Sequence, residues 1–175
     1  MKSKMVYNGN FLTEMGHKDL LVWWEYEGPG FPDPKAKIYA HHMTSYFRPR
    51  GEEEDLNYGE EVPLELIGYA QTEELGVAVV QCKTPSKNEV KHITVWTAQG
   101  VKPSKSNEVL EQDYVKFEWP VYSFQSVTGY WDGKRAVLPG WDEPSEKKKR
   151  QLESLKQKSE RMDELINSFL TAMFV

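Results

Sequence analysis

Two tripeptides of the same form, His42-Met43-Thr44 and His92-Ile93-Thr94, hold the residues best suited to chemistry. In a β-strand, residues i and i+2 point to the same face, so each tripeptide presents an imidazole beside a hydroxyl. Two such strands side by side would line one groove with two histidines and two threonines. Imidazole titrates near neutrality and can act as acid or base. This set therefore indicates general acid–base chemistry on a phosphodiester.

Each residue type has a definite task in that chemistry. One imidazole would take a proton from water or a ribose hydroxyl, and the other would supply a proton to the leaving oxygen. The hydroxyls of Thr44 and Thr94 would donate hydrogen bonds to the non-bridging phosphate oxygens. Strand alternation also predicts that Tyr46 and Trp96 lie on the same faces as the histidines. There they would stack on a base, with packing in the groove wall as the alternative.

The elements that must position these residues are mostly strands. Apolar runs separated by turn residues predict strands at 5–12, 38–47, 62–70, 77–82, 90–97, 114–130 and 136–138. A short helix is expected over 14–24 with Thr13 as its N-cap, and a single turn of helix near 107–112. The order of elements predicts an α+β fold with antiparallel strands.

The C-terminal segment differs in kind from the rest. Its apolar residues follow a 3-4 spacing that predicts an amphipathic helix of roughly 30 residues, with Ser159 at one weak position. The apolar positions are Leu152, Leu155, Met162, Ile166, Phe169 and Met173. We therefore divide the chain into a main domain, 1–140, and a helical segment, 141–175. The helix would either pack across the sheet or form a homodimer with a second copy.

Charge limits the partners that the chain can have. The net charge is −5, and residues 51–82 contain nine acidic residues and no Lys or Arg. An acidic chain of this kind is poorly suited to binding duplex DNA through a basic face. The acidic stretch is either a solvated loop with strand edges or a surface that blocks a basic protein.

The remaining composition bears on location and cofactors. No apolar run reaches the roughly 20 residues that a membrane span needs, and no signal-peptide core follows the N-terminal residues. Cys82 is the single cysteine, so neither an internal disulfide nor a cysteine-based zinc site is expected. We expect a cytoplasmic protein that uses no metal and no cofactor and has no membrane partner.

Three stretches together resemble a known family. Residues 39–44 (YAHHMT), 91–96 (KHITVW) and 100–107 (GVKPSKSN) are similar to motifs of the two-histidine (2H) phosphoesterases, in particular the RNA-repair-like or cyclic phosphodiesterase branch. The resemblance covers roughly residues 5–125. At position 45 the family usually keeps an apolar residue facing the core, and this chain has Ser45.

The resemblance implies a bilobal fold, with antiparallel sheets around a central groove and one motif from each lobe. It implies a metal-independent phosphodiesterase whose catalytic residues match His42, Thr44, His92 and Thr94. The substrate would be a nucleotide or RNA end: a 2′,3′-cyclic phosphate, a 2′–5′ oligoadenylate or a cyclic dinucleotide. Such an enzyme would serve RNA processing, or would be a viral anti-defence protein that degrades a nucleotide immune signal in the host cytoplasm.

Two further points stay open from the residues alone. Lys102, just after the second tripeptide, would contact a substrate phosphate or be an ordinary solvated loop lysine. The chain as a whole has an alternative reading as a non-catalytic module. In that case the groove binds a nucleotide without cleaving it, or the acidic 51–82 face inhibits a protein.

Overall fold

The computed structural model of this chain describes residues 4–141 and 146–173. These residues form two compact units, one that extends to Trp141 and one that consists of the C-terminal helix. The first unit contains nine strands and two α-helices. The predicted α+β class, with an antiparallel sheet and a long C-terminal helix, is confirmed.

The elements follow the chain in a simple order. Their bounds are β1 Tyr7–Leu12, α1 Glu14–Tyr26, β2 Lys37–Ile38, β3 His42–Phe47, β4 Glu61–Gln71, β5 Leu75–Gln81, β6 His92–Thr97, α2 Ser106–Gln112, β7 Val115–Lys116, β8 Tyr122–Trp131, β9 Ala136–Val137 and α3 Glu146–Met173. The strand predicted at 38–47 is divided into β2 and β3. The division falls at Ala40, which has a left-handed φ of 55° that no extended strand contains.

All nine strands of the first unit belong to one sheet. Strand β4 pairs with β5 on one side and with β8 on the other, so six strands close into an antiparallel ring with the order β4-β5-β6-β3-β1-β8. The inside of the ring is the main core, and its side chains are fully buried. They include Met43, Leu64, Leu66, Ile93 and Phe124.

The ring consists of two three-stranded halves. One half is β3-β1-β8 and the other is β6-β5-β4, and each carries one His-x-Thr tripeptide on the strand at its edge. The halves meet where β3 pairs with β6, and again where β8 pairs with β4. The two tripeptides therefore lie at one of the two junctions between the halves.

Helix α1 packs against the core through Leu20, Trp23 and Trp24. Thr13 begins it, as predicted, by accepting a hydrogen bond from the Gly16 amide through its hydroxyl at 3.1 Å. A Cβ at Gly16 would lie only 2.1 Å from the Gln125 carbonyl oxygen. Glycine is therefore required where the first turn of α1 touches β8.

Helix α3 is the second unit. Its apolar side chains at the 3-4 spacing are exposed, for example Leu155 at 62%, Met162 at 59% and Phe169 at 66%. Pairing of this face with a second copy of the chain stays a prediction. No helix in the described ranges has an apolar stretch long enough to cross a lipid bilayer.

Candidate active site

The pairing of β3 with β6 brings the two tripeptides together. Met43 is the registered partner of Ile93 in this antiparallel pair. By the same register His42 lies opposite Thr94, and Thr44 lies opposite His92. The middle residues point into the core, so the four histidine and threonine side chains share the outer face of the sheet. They form a two-by-two arrangement with the histidines on one diagonal.

A β-bulge follows the first tripeptide. Thr44 is the partner of Gly9, whereas Tyr46 is the partner of Asn8, so Ser45 is an extra residue in β3. The bulge reverses the alternation, and Tyr46 points into the ring rather than to the face of the threonine. Ser45 is also buried. Its hydroxyl has no hydrogen-bond partner among the described residues.

A second bulge follows the second tripeptide at the same place. Thr94 is the partner of Val77 and Trp96 is the partner of Gly76, so Val95 is the extra residue. Trp96 is completely buried, and its indole nitrogen donates to the Gln71 side chain at 2.9 Å.

The prediction that Tyr46 and Trp96 share the faces of the histidines is therefore wrong. Both rings lie in the core, with Tyr46 only 9% exposed and Trp96 fully enclosed. A base cannot stack on rings in these positions without opening the core. The physical reason is the extra residue in each strand, which turns every following side chain to the other face.

Aromatic residues from β1 and β8 form the wall beside His42. The Tyr7 ring stacks on the His42 imidazole with centroids 4.7 Å apart, and Phe11 lies 5.6 Å away. Trp131 stacks on the other side of Tyr7 at 6.2 Å. The spacing of Tyr7 and Phe11 is compatible with one strand face. The sequence does not reveal that β1 is the neighbour of β3, so these residues were missed.

Burial keeps His42 neutral. Desolvation is the main cause that lowers its pKa to about 4, and the nearby charges of protonated His41 and His92 lower it further. A charge on His92 thus disfavours a second charge on His42. At neutral pH the free site therefore holds His42 as an uncharged imidazole.

His92 is oriented by its own backbone neighbourhood. Its Nδ1 lies 2.8 Å from the Val90 carbonyl oxygen. A carbonyl oxygen only accepts, so Nδ1 is the donor and Nε2 keeps its lone pair in the neutral ring. Burial lowers the pKa of His92, and the hydrogen bond to Val90 opposes this in part. The neutral ring is thus preset to accept a proton at Nε2.

The two threonines are held by different partners. The Thr94 hydroxyl lies 2.8 Å from the Ser106 hydroxyl, which is buried at the start of α2. The Thr94 hydroxyl also lies 3.4 Å from the Pro103 carbonyl oxygen. The Thr44 backbone carbonyl accepts a hydrogen bond from Ser86 at 2.8 Å. Ser106 was not predicted, because nothing in the sequence links this loop residue to the second tripeptide.

Asn8 supports the first bulge from inside the ring. Its side-chain oxygen accepts a hydrogen bond from the Tyr46 amide at 3.0 Å, and its amide group donates to Tyr58 at 3.3 Å. Asn8 is fully buried. It satisfies a backbone amide that the bulge removes from the strand ladder, and so it stabilises the bulge that directly follows Thr44.

The predicted contact of Lys102 with a substrate stays a prediction. Lys102 is exposed, directly before the short turn Pro103–Lys105 that passes beside Thr94. Lys105, by contrast, is engaged by the Glu74 carboxylate at 2.6 Å.

The arrangement as a whole can transfer protons and hold an anion. Two imidazoles and two hydroxyls lie on the same face of the sheet, with an aromatic wall beside them. Within 4–141 and 146–173, no group of three or more His, Cys, Asp or Glu side chains is placed to hold a metal ion. Comparison with protein-family models and with curated proteins found no match to this chain. The chemistry of the site is therefore inferred from its own side chains.

Replacing Asn8 should loosen the first bulge. In Asn8→Ala the Tyr46 amide stays buried without a partner, which should lower the free energy of unfolding by about 1–3 kcal/mol. Urea denaturation measures this change. Asn107→Ala, at an exposed position, is the control and should change stability by less than about 0.5 kcal/mol. Equal losses in the two variants would contradict the assigned role of Asn8.

Stability should fall in mild acid because of His42. Its pKa is about 4 in the folded chain and about 6.5 when unfolded, so between these values the unfolded state binds more protons. The contribution is complete above pH 6.5 and is lost as the pH falls toward 4. Between pH 7.5 and pH 5 the loss from this group should be about 2 kcal/mol. Urea denaturation of wild type and His42→Asn tests this, and identical pH dependence would contradict it.

Proposed function

We propose that this protein is a metal-independent phosphodiesterase that hydrolyses a cyclic or oligomeric nucleotide. Candidate substrates are 2′,3′-cyclic phosphates, 2′–5′ oligoadenylates and cyclic dinucleotides. One observation carries the proposal: the register of β3 and β6 places His42, Thr44, His92 and Thr94 together on one face. A phosphate above this face would have an imidazole on each of two opposite sides.

The tautomer of His92 suggests how the two histidines divide the work. His92 Nε2 takes a proton from the attacking water while the water oxygen forms a bond to phosphorus. The bond from phosphorus to the leaving oxygen breaks, and protonated His42 gives its proton to that oxygen. Afterwards His92 is protonated and His42 is neutral, so exchange with solvent restores the starting state.

Substrate binding must raise the pKa of His42 so that the ring takes up a proton from solvent. In the free protein the pKa of this ring is about 4, so little of it is charged at neutral pH. A phosphate anion placed beside the ring favours the charged form and raises the pKa. In this proposal the bound substrate converts His42 into the protonated general acid. We expect kcat/KM to be greatest on the acidic side of pH 6.5.

The threonines would stabilise the charge that develops on the phosphate. Thr44 and Thr94 lie on the second diagonal of the arrangement, so each can donate to a different non-bridging oxygen. In that state Ser106 would donate to the Thr94 hydroxyl, which leaves the single Thr94 proton for the phosphate oxygen. With Tyr46 and Trp96 in the core, and with Tyr7 stacked between His42 and Trp131, we assign base stacking to Trp131 at the end of the aromatic wall.

The two halves of the sheet support membership of the 2H phosphoesterases. Each half contributes one tripeptide, and each tripeptide is followed by a bulge at the same position. This repetition fits the bilobal arrangement that the sequence resemblance implies. We further propose that the enzyme works in the cytoplasm, in RNA processing or in removal of a nucleotide immune signal.

A binding module without catalysis is the second candidate. The low pKa values favour neutral histidines in the free site, which would hold a nucleotide without cleaving it if the anion failed to charge His42. The acidic 51–82 face is less suited to mimic nucleic acid, because part of its charge is neutralised within the fold. Lys87 pairs with Glu52, and Lys83 pairs with Glu60.

Removal of either ring should abolish most turnover. We expect His42→Asn and His92→Asn to lower kcat by about 10²–10⁴-fold on the best substrate of a nucleotide panel. Product formation is followed by chromatography, with and without EDTA, and wild-type activity should survive the chelator. His41→Asn, at the exposed neighbouring position, is the matched control and should stay close to wild type at pH 7.5, where the lowered pKa of His41 leaves that ring neutral.

Three outcomes would count against the proposed function. Wild-type activity in either variant would remove the two-histidine mechanism. Loss of activity in EDTA would contradict a metal-independent reaction. Tight retention of one nucleotide without any product would favour the binding module.

A further inference from the structure

A cleft lies at the end of β6 that follows the second tripeptide. It is a cleft of about 550 Å³ between the segment 35–39 and the loop 97–101. The polar side chains that line it are Lys35, Lys37, Tyr39, Thr97 and Gln99. Both charged side chains in this lining are lysines. The cleft is thus locally cationic in a chain whose net charge is −5.

The strand register places this cleft on the same face as the catalytic candidates. Thr94 and Thr97 are the partners of Val77 and Leu75, which belong to one hydrophobic cluster on the outer face of the sheet. Lys37 is the partner of Thr97. Thr94 and Thr97 are three residues apart on β6, so the cleft begins within about 10 Å of the proposed phosphate site.

The lysines of the cleft differ from three other lysines of the first unit. Lys83, Lys87 and Lys105 are each paired with a glutamate. In the part of the chain that the structure describes, Lys35 and Lys37 form no ion pair. Lys37 instead lies over the Tyr39 ring, with its ammonium 5.0 Å from the centroid. These two cations are therefore available to an external anion.

We propose that this cleft binds a second phosphate of the substrate, one nucleotide away from the phosphate that is cleaved. This inference rests on the proposed function and narrows its substrate class. The near edge of the cleft, at Thr97, is about 10 Å or less from the proposed phosphate site, and an extended nucleotide chain can bridge that distance. The favoured substrates are therefore oligonucleotides or cyclic dinucleotides, which carry at least two phosphates. A mononucleoside 2′,3′-cyclic phosphate would leave the cleft empty.

The test compares two substrates that differ in the second phosphate. The probes are 5′-phosphorylated 2′–5′ diadenylate and adenosine 2′,3′-cyclic phosphate. The double variant Lys35→Gln/Lys37→Gln should lose about tenfold or more in kcat/KM on the first and less than about twofold on the second. Lys116→Gln is the matched control, because Lys116 lies over the Tyr114 ring at 4.8 Å but pairs with β4, away from this cleft.

Further measurements separate this inference from the proposed function. Circular dichroism of the double variant checks that the fold is kept. Equal losses on both substrates, or no loss on either, would overturn the inference while leaving the phosphodiesterase proposal in place. If neither substrate is cleaved, the diadenylate is titrated onto wild type and the double variant by calorimetry. Weaker binding to the variant alone would support the cleft and count against catalysis, and equal binding would overturn the cleft as well.

Discussion

The registered pair of Met43 and Ile93 is the contact on which the candidate site depends. Both side chains are fully buried in the core of the ring, and their burial fixes the register of β3 against β6. A slip of β3 by one residue would turn its tripeptide over and move His42 and Thr44 into the core. The site is thus held in place by the hydrophobic effect on the opposite face of the same two strands.

The bulges give the site its limits. The bulges turn the side chains of Tyr46 and Trp96 into the core. Each threonine is therefore the last residue of its strand segment that contributes a side chain to the site. The first bulge also needs close approach of β1, where a Cβ at Gly9 would lie 2.0 Å from the Met43 carbonyl oxygen. Strand β1 in turn supplies the aromatic ring stacked on His42. The bulge in β3 and the desolvation of the His42 imidazole therefore both depend on the position of β1 beside β3.

The sequence predicted the features that depend on short, local patterns of residues. The matched tripeptides gave the residues that meet, the alternation gave their common face up to the threonines, and Thr13 was correctly placed as a helix cap. The bulges were missed because an extra residue in a strand leaves no mark in its composition. The partners Tyr7, Asn8 and Ser106 were missed because their roles depend on which strands and loops become neighbours. That information is in the topology and not in any short segment.

The central claim is that His42 and His92 act together on one phosphate. A double-mutant cycle of kcat/KM with His42→Asn, His92→Asn and the double variant tests this most directly. Residues that act as a unit are strongly non-additive, so the double variant should be about as slow as the slower single variant. Single effects that multiply in the double variant would show that the two rings act independently, and would contradict the account.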